Sequence, residues 1–219
     1  MKNVILIATV HQENGECNSN NLLKLLNSIK PQVVFEELSD IMFKEVYENG
    51  KSVSLETETI KLYLQNREIS HYPVDLNNNI DKQLKESMTN MFEVFKKEPL
   101  YNDLITKLDK STYELGFSFL NSIHCERLLA QKYFIEQEIA RSTYQEGLEQ
   151  IHQKWIRIND LREREMISNI RKYSEIHDFD MGVFLVGAEH RKPIIDYVRN
   201  KSTEWKEQCN WNFDYFDTH

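Results

Sequence analysis

The sequence lacks the cysteine spacings and long apolar runs that mark several classes of protein. Its three cysteines lie far apart and form no Cys-x-x-Cys pair, so neither a disulfide framework nor a zinc ribbon is expected. No apolar run has the length of a membrane-spanning helix, and the short run near the N-terminus is followed at once by His11 and Glu13. We therefore expect a cytoplasmic protein with reduced thiols and no membrane partner.

An excess of basic residues is also missing. The chain has 27 Lys and Arg residues against 35 Asp and Glu residues, which gives a net charge of −8 and a pI near 5.4. No cluster of basic residues is interleaved with aromatic residues. Because an acidic surface repels the phosphate backbone, a nucleic-acid partner is not expected.

Motifs of several common enzyme classes are absent as well. The sequence has no Gly-x-Ser-x-Gly elbow, which argues against a serine hydrolase. It has neither a Walker loop nor a Gly-x-Gly-x-x-Gly segment, so no nucleotide cofactor is expected. No His-Glu-x-x-His zinc motif occurs, and the His11-x-Glu13 pair lacks the Pro-Cys-x-x-Cys partner of a deaminase.

What is present suits one folded domain over residues 1–219. The chain is 40% hydrophobic and 28% charged, enough for a core of ordinary size. Its first part alternates buried-strand patterns with helical patterns, as expected for a largely parallel sheet with right-handed crossovers. The expected strands are residues 4–10, 33–35 and 70–76, and the expected helices are residues 19–29, 39–50 and 55–66.

The middle of the chain, residues 79–176, predicts helices only. Met and Phe residues recur at helical spacing up to Phe95, and two further helices are expected over residues 102–123 and 126–172. The predicted fold class is therefore α/β: a mostly parallel central sheet flanked by helices, with a large all-helical insertion before a late strand.

The late strand and the C-terminal part complete the predicted sheet. Val183 to Val186 form a continuous apolar run that closes at Gly187, which indicates a strand buried on both faces. Pro193–Lys201 predicts a helix. Residues 210–217 alternate aromatic and polar side chains, which predicts a final antiparallel edge strand.

Chemically active side chains follow the predicted strands where each of them ends. They are His11, Glu36, Glu37, Asp75 and His190. Parallel strands carry their carboxyl ends to one edge of a sheet, so these side chains are expected to converge there. Imidazoles and carboxylates in one cleft can bind a divalent metal or divide acid and base roles on a water. Taken singly, each has a structural alternative as a surface, capping or turn residue.

Two details of the sequence bear on this cluster. Side chains alternate along a strand, so only one of Glu36 and Glu37 should point at a given partner. Arg162 shares one helical face with Met166 and Asn169, which would let it reach inward to a carboxylate or an anionic transition state. Periodicity alone favours a different position for Arg162, as one of several charged residues on the solvated face of its helix.

Four short motifs resemble those of the TraB/Tiki superfamily, which includes erythromycin-esterase-like and ChaN-like proteins. Gly187-Ala188-Glu189-His190 matches the late Gly-x-x-His motif, and Ala8-Thr9-Val10-His11 matches the early one with Ala in place of Gly. The segment from Pro31 to Glu37-Leu38 matches the close of the second strand. Arg162-Glu163-Arg164-Glu165-Met166 matches an Arg-acidic-x-x-Met turn of helix. The four motifs occur in the family's order.

The resemblance implies a hydrolase that acts on a peptide, ester or similar carbonyl bond of a peptide or small-molecule substrate. It would be either metal-dependent, as the family's metalloprotease-like members are, or metal-independent, as its esterase is. It implies that His11, Glu37 and His190 hold a divalent ion or position the attacking water, with His11 as general base if no metal binds. Mn, Co, Fe and Zn would all suit such ligands. Glu36 would support this site or replace the base, and Arg162 would face the oxyanion. Asp75 is added as a ligand from its strand-end position.

Two other functions stay open from the sequence. The large insertion and the Gly-to-Ala change at residue 8 are compatible with a binding or regulatory protein without turnover, and the acidic edge is compatible with a phosphoesterase. An oligomer is compatible with the sequence. The hydrolase prediction depends on one geometric expectation, namely that His11 and His190 lie together over shared carboxylates.

Overall fold

The computed structural model describes residues 2–51, 54–77, 80–142, 147–201 and 209–217. Its centre is one five-stranded sheet in which every strand pair is parallel. The strand order is β3-β2-β4-β1-β5. The strands are β1 (Lys2–Thr9), β2 (Val33–Glu36), β3 (Ser70–Pro73), β4 (Met181–Gly187) and β5 (Cys209–Asn212). The α/β class and the parallel sheet expected from the sequence are therefore confirmed.

The two most apolar strands occupy the interior of the sheet. Strands β1 and β4 pair over seven residues, from Asn3 opposite Met181 to Thr9 opposite Gly187. Alternate side chains supply two separate cores, so that Ile5 and Ile7 pack on one face while Val4 and Leu6 pack on the other. Continuous apolar runs are what strands covered on both faces require, and this register brings His11 and His190 to the same edge.

Three helices follow the first two strands, and side-chain caps mark where each begins. Helix α1 (Ser19–Ile29) is capped by Asn18, α2 (Asp40–Tyr47) by Ser39, and α3 (Leu55–Leu64) by a capping box between Ser54 and Thr57. The expected helices match these bounds closely, although α2 ends before Gly50.

Between β3 and β4 the described residues form helices and no strand, as expected for residues 79–176. The helices are α4 (Lys82–Phe95), α5 (Pro99–Leu120), α6 (Ile123–Ser142) and α7 (Leu148–Ile176). The expectation of one helix over residues 126–172 was wrong, since α6 and α7 are separate and fold back on each other. Met91 and Phe95, expected from their spacing to lie in the core, pack with Tyr101, Ile139, Ala140 and Leu148 in a core of the insertion itself.

Two expectations about the C-terminal part were wrong. Strand β5 pairs with β1 at the edge of the sheet, but in parallel rather than antiparallel orientation. Helix α8 (Ala188–Asn200) returns the chain to the amino-terminal end of the sheet, so the next strand runs parallel. The helix also begins before His190 and contains Pro193. The Tyr133 hydroxyl donates to the Glu189 carbonyl at 3.2 Å, which supplies the donor that Pro193 lacks.

None of the helices in the described part of the chain combines the length and hydropathy that a bilayer crossing requires.

Gly116 interrupts α5, and its replacement by alanine is expected to destabilise the fold. Its backbone lies at φ 57° and ψ −136°, and a Cβ there would stand 2.8 Å from the carbonyl carbon and oxygen of Glu16. Gly50 has a similar φ of +72° but no atom within 4 Å of an added Cβ. Positive φ alone costs about 1–2 kcal/mol for a residue with a side chain. Urea denaturation should therefore show a larger loss for Gly116→Ala than for Gly50→Ala, and equal losses would contradict the close packing.

Candidate active site

A cleft of about 550 Å³ opens at the carboxyl ends of β1, β2 and β3. The ends of these strands and the segments after them contribute His11, Glu36, Glu37 and Asp75 to its lining. Helices α4 and α7 of the insertion supply the facing wall, which includes Met88, Trp155 and Arg162. The insertion therefore forms one side of the cleft. Five of the six predicted site residues line this cleft, and His190 lies behind it in contact with Glu37 and Arg162.

Arg162 joins two carboxylates that lie far apart in the sequence. Its Nε donates to both oxygens of Asp75 at 3.1 Å, and its Nη2 donates to Asp75 at 2.8 Å and to Glu37 at 2.6 Å. Its side chain is 25% exposed. Met166 on the same face of α7 is fully buried and Asn169 donates to the Val74 carbonyl, so this face packs inward. The solvated position that periodicity favours for Arg162 is therefore wrong.

Backbone hydrogen bonds explain why Asp75 lies beside Glu37. After β2 and β3 end, the two chains stay together, with Val74 N donating to the Glu36 carbonyl and Asp75 N to the Leu38 carbonyl. The Glu37 Oε2 atom accepts from the backbone N–H of Gly187 at 2.6 Å. The carboxylate of Glu37 thus links the end of β2 to the start of α8. Burial would raise the pKa of Glu37, but hydrogen bonding to His190 and the charges of His190 and Arg162 hold it at about 2.

His190 lies in the first turn of α8 and has a carboxylate at each ring nitrogen. Its Nδ1 is 2.8 Å from Glu163 Oε1, and its Nε2 is 3.4 Å from Glu37 Oε1. Burial lowers the pKa of His190, but these two carboxylates outweigh burial and the nearby Arg162, and raise it to about 9. His190 is therefore an imidazolium at neutral pH, which suits it to donate a proton or stabilise negative charge rather than to act as a base.

His11 is held differently, in a pair with Glu56 from α3. Its Nδ1 is 3.3 Å from Glu56 Oε1, and the Thr9 hydroxyl donates to the same oxygen at 2.6 Å. The hydrogen bond to Glu56 raises the pKa of His11 above its usual 6.5 despite partial burial. The side chain is 61% exposed. His11 thus presents a ring to the cleft, with a carboxylate behind it that would stabilise its charged form.

Two main-chain contacts fix where the His11 ring stands. The His11 carbonyl accepts from Leu55 N at 2.9 Å, which brings Glu56 alongside His11. One residue before the end of β1, the Ala8 N–H donates to Asn121 Oδ1 at 2.8 Å and the Ala8 carbonyl accepts from Asn121 Nδ2 at 3.1 Å. Strand β5 pairs only as far as Ile5, so Asn121 satisfies the backbone that β5 leaves unpaired.

The two imidazoles approach each other across Gly187. A Cβ built on Gly187 would lie 3.8 Å from His11 Nε2, 3.8 Å from His190 Cδ2 and 3.3 Å from Glu37 Oε2. His11 Nε2 and His190 Cδ2 can therefore be no farther apart than twice 3.8 Å. The Glu37 carboxylate lies next to the same point on Gly187. The geometric expectation from the sequence agrees with this arrangement. A side chain at residue 187 would crowd all three groups, which accounts for a glycine here.

Glu36 belongs to a different set of contacts. Its Oε2 accepts from the Tyr47 hydroxyl at 2.6 Å, and its Oε1 is 2.8 Å from His71 Nδ1. The alternation along β2 thus sends Glu36 and Glu37 to different partners, as expected. Both oxygens of Glu36 have partners, so the structure supports a bracing role for this residue more than a role as base.

The donors that were expected to bind a divalent ion have partners within the protein. Both oxygens of Asp75 and one of Glu37 face the Arg162 guanidinium, the other Glu37 oxygen accepts from Gly187, and both nitrogens of His190 meet carboxylates. No group of three or more His, Cys, Asp or Glu residues in the described part of the chain could hold a metal ion. The arrangement around Arg162 therefore does not fit a resident ion, because a cationic side chain already occupies the place among the carboxylates.

Sequence reasoning missed three residues that hold the site together: Glu56, Asn121 and Glu163. Glu163 is part of the Arg-acidic motif, but no role was assigned to it. Glu56 lies in α3 and Asn121 directly follows the end of α5, so neither has a strand-end signal, and their partners are far away in the sequence. The sequence indicated only that Glu56 lies near the start of a helix expected over residues 55–66.

The chain matches no protein-family model, no curated protein and no solved structure, so the resemblance of its four motifs to the TraB/Tiki superfamily stays a prediction.

Proposed function

We propose that this protein is a hydrolase that cleaves an ester, amide or similar carbonyl bond with a water activated by His11. The observation that carries the proposal is the contrast between two neighbouring imidazoles. His11 is exposed to the cleft and backed by Glu56, whereas His190 is enclosed and positively charged beside Arg162. A base and a cationic region side by side are what carbonyl hydrolysis by water needs.

In this mechanism the neutral His11 ring takes a proton from water at Nε2 while the water oxygen attacks the carbonyl carbon. The C–O bond forms as the carbonyl electrons move onto oxygen, and Glu56 stabilises the imidazolium through Nδ1. The positive charges of Arg162 and His190 stabilise the oxyanion. Arg162 Nη1 is available for this role because it donates to neither Glu37 nor Asp75, and it lies 3.4 Å from His190 Nε2. His11 then returns the proton to the leaving group as the tetrahedral intermediate collapses.

The motif resemblance supports the same assignment, because it names His11, Glu37, Arg162 and His190 from residues that turn out to be neighbours. No step requires a metal ion, and the metal prediction is not carried into this mechanism. Metal analysis of the purified protein, combined with turnover before and after chelation, checks that point. Loss of turnover on chelation, restored by one added divalent ion, would contradict the metal-free mechanism.

A panel of activated esters, lactones, peptides and p-nitrophenyl phosphate tests the proposed reaction. Turnover of a carbonyl substrate should fall on Glu56→Gln, because the neutral amide no longer stabilises charged His11. Glu58→Gln is the matched control, since Glu58 lies two residues along α3, faces solvent and pairs only loosely with Lys61. Turnover confined to the phosphate ester would indicate a phosphoesterase, and equal effects of both variants would remove Glu56 from the mechanism.

The pH dependence of kcat/KM should be bell-shaped, with its optimum between the pKa of His11 and that of His190. His11 acts as a base only when it is neutral, so the rate should rise through its pKa, which lies above 6.5. His190 contributes positive charge only below its pKa, so the rate should fall as pH passes about 9. Glu163→Gln should move the alkaline limb to lower pH, because Glu163 raises the pKa of His190. An alkaline limb that does not move would show that it reports another group.

A non-catalytic binding protein is the second candidate, and one observation favours it. Glu37, Asp75, Arg162, Glu163 and His190 form a network in which every charge has a partner, as in a purely structural ion-pair cluster. If no member of the substrate panel is turned over and His11→Ala changes nothing measurable, this candidate replaces the hydrolase.

A further inference from the structure

A second concavity adjoins the cleft, with which it shares Trp155 and Asn159, and His190 is among its lining residues. It has a volume of about 500 Å³ and is formed by helices α6, α7 and α8. We name it the aromatic groove, after the rings of Tyr133, Phe134 and Trp155 in its walls. Two apolar side chains of the groove face solvent, Phe134 with 63% and Ile156 with 41% exposure. The groove reaches the proposed active site because His190, Glu163 and Glu189 are also among its lining residues.

The charged groups around the aromatic groove leave one carboxylate in excess. Glu163 pairs with His190, Asp160 with Arg164, and Glu136 with Lys132. The only cation that the described contacts give Glu189 is Lys132, which it shares, since the Lys132 Nζ lies 3.0 Å from Glu189 Oε1 and 2.8 Å from Glu136 Oε1. The other Glu189 oxygen accepts from the neutral Tyr133 hydroxyl at 3.4 Å. The Glu189 side chain is 42% exposed. The groove thus combines aromatic walls with an accessible net negative charge.

The titration behaviour of neighbouring groups agrees with a negative potential. Burial raises the pKa of the Tyr133 phenol, and the charges of Glu189, Glu136 and Glu163 raise it further. Burial lowers the pKa of Lys132, but Glu189 and Glu136 outweigh it and raise the pKa above its usual value. Both effects require negative charge close to these side chains.

The same rings already accept a cation from within the protein. The Lys132 Nζ lies 4.9 Å from the ring centre of Tyr133 and 5.8 Å from that of Trp155. An ammonium within about 6 Å of the centre of a tyrosine or tryptophan ring is attracted to its face, and the attraction grows away from water. The remaining ring surface in the groove offers the same interaction to a second cation.

His152 is a further sign of an incomplete site. It lies in the wall of the groove, stacks on Trp155 at an interplanar angle of 14°, and is 2% exposed. Its Nδ1 is buried without a hydrogen-bond partner among the described residues. Burial lowers the pKa of His152, and Lys132 lowers it further, so the ring is neutral and adds no positive charge to the groove.

We propose that the aromatic groove binds an alkylammonium group, between its rings and the Glu189 carboxylate. Resting on the proposed hydrolase function, the groove would select substrates that carry such a cation close to the bond cleaved at His11. A neutral group of the same shape would lose the ring and carboxylate attraction, and an anion would be repelled.

Choline and its neutral counterpart 3,3-dimethylbutan-1-ol test this proposal, because they have nearly the same shape and differ in charge. Isothermal titration of the full chain should show choline binding more tightly, by about 2- to 30-fold from the range of cation–π energies. Added salt should reduce the difference. Equal affinity for the two compounds would overturn the proposal. So would the absence of choline binding at choline concentrations well above the Kd of a weak, millimolar complex.

Variants separate the groove from general attraction to an acidic protein. Phe134→Ala and Glu189→Gln should each weaken choline binding, whereas Glu138→Gln, which removes one exposed charge of α6 outside the groove, should not. Phe134 is exposed, so its truncation should not disturb folding. A Phe134→Ala protein with unchanged affinity, or equal weakening by Glu138→Gln, would show that the groove is not the binding site.

One further variant distinguishes failure of the groove from failure of the hydrolase. His11→Ala should reduce turnover by about 10²- to 10⁴-fold without changing choline affinity, because His11 does not line the groove. Choline binding without any turnover would contradict the hydrolase and leave the groove as a ligand site. Turnover without selective choline binding would contradict the groove alone.

Discussion

Replacing Arg162 with methionine is expected to lower the free energy of unfolding by about 3 kcal/mol or more, the cost of breaking a buried ion pair from one side. The side chain of Arg162 makes hydrogen bonds to Glu37 and Asp75, which are 8% and 12% exposed. Methionine fills similar space without a charge, so two neighbouring carboxylates would face each other without compensation. Either their pKa values would rise or water would enter the site.

Arg164 provides the matched control for this experiment. It lies two residues along α7, is more than half exposed and pairs with Asp160 one turn away. Surface pairs of this kind contribute about 0–1 kcal/mol, so Arg164→Met should change stability little. Urea denaturation measures both variants. Losses of similar size would contradict the structural importance of the Arg162 network.

A second variant shows whether the loss comes from charge. Adding Asp75→Asn and Glu37→Gln to Arg162→Met removes the unpaired carboxylates and should recover part of the lost stability. Glu37 also accepts a hydrogen bond from Gly187, which glutamine can still accept through its carbonyl oxygen. A triple variant less stable than Arg162→Met would indicate that packing, and not charge, dominates.

Replacing His11 with alanine is expected to reduce turnover of a carbonyl substrate by about 10²- to 10⁴-fold, the usual contribution of a general base. The loss should appear in kcat and in kcat/KM together, because proton transfer occurs in the transition state. The side chain is 61% exposed, so the thermal midpoint should stay close to that of the unchanged protein. A steady-state assay and a thermal melt together make this measurement.

His124 supplies the control for the loss of an imidazole. It is exposed in the first turn of α6 and touches Phe119, outside the lining of the cleft. His124→Ala should leave turnover unchanged. If His11→Ala retains full activity on a substrate that the protein hydrolyses, the base is another group and the proposed mechanism is wrong.

Much of the architecture could be predicted because it depends on local patterns. The apolar runs of β1, β2 and β4 indicate parallel strands whatever their partners are, and Ser39 and Ser54 mark helix starts through hydrogen bonds only three residues long. Long-range neighbours decided the cases that failed. The orientation of β5 followed from the path of α8, and α8 could include Pro193 because Tyr133 supplies the missing donor.

The predicted site also has a part that local patterns determine and a part that long-range contacts decide. Strand ends in a parallel sheet must share an edge, so the sequence by itself brought His11, Glu37, Asp75 and His190 into one neighbourhood. Which group faces which was decided only by tertiary structure. Arg162 and Asp75 are 87 residues apart, and His11 meets Glu56 only because the His11 carbonyl accepts from the start of α3. Periodicity determines which face of an element a residue lies on. Hydrogen bonds and ion pairs need their atoms placed to within a few tenths of an ångström, and only the complete fold brings the elements that carry them together.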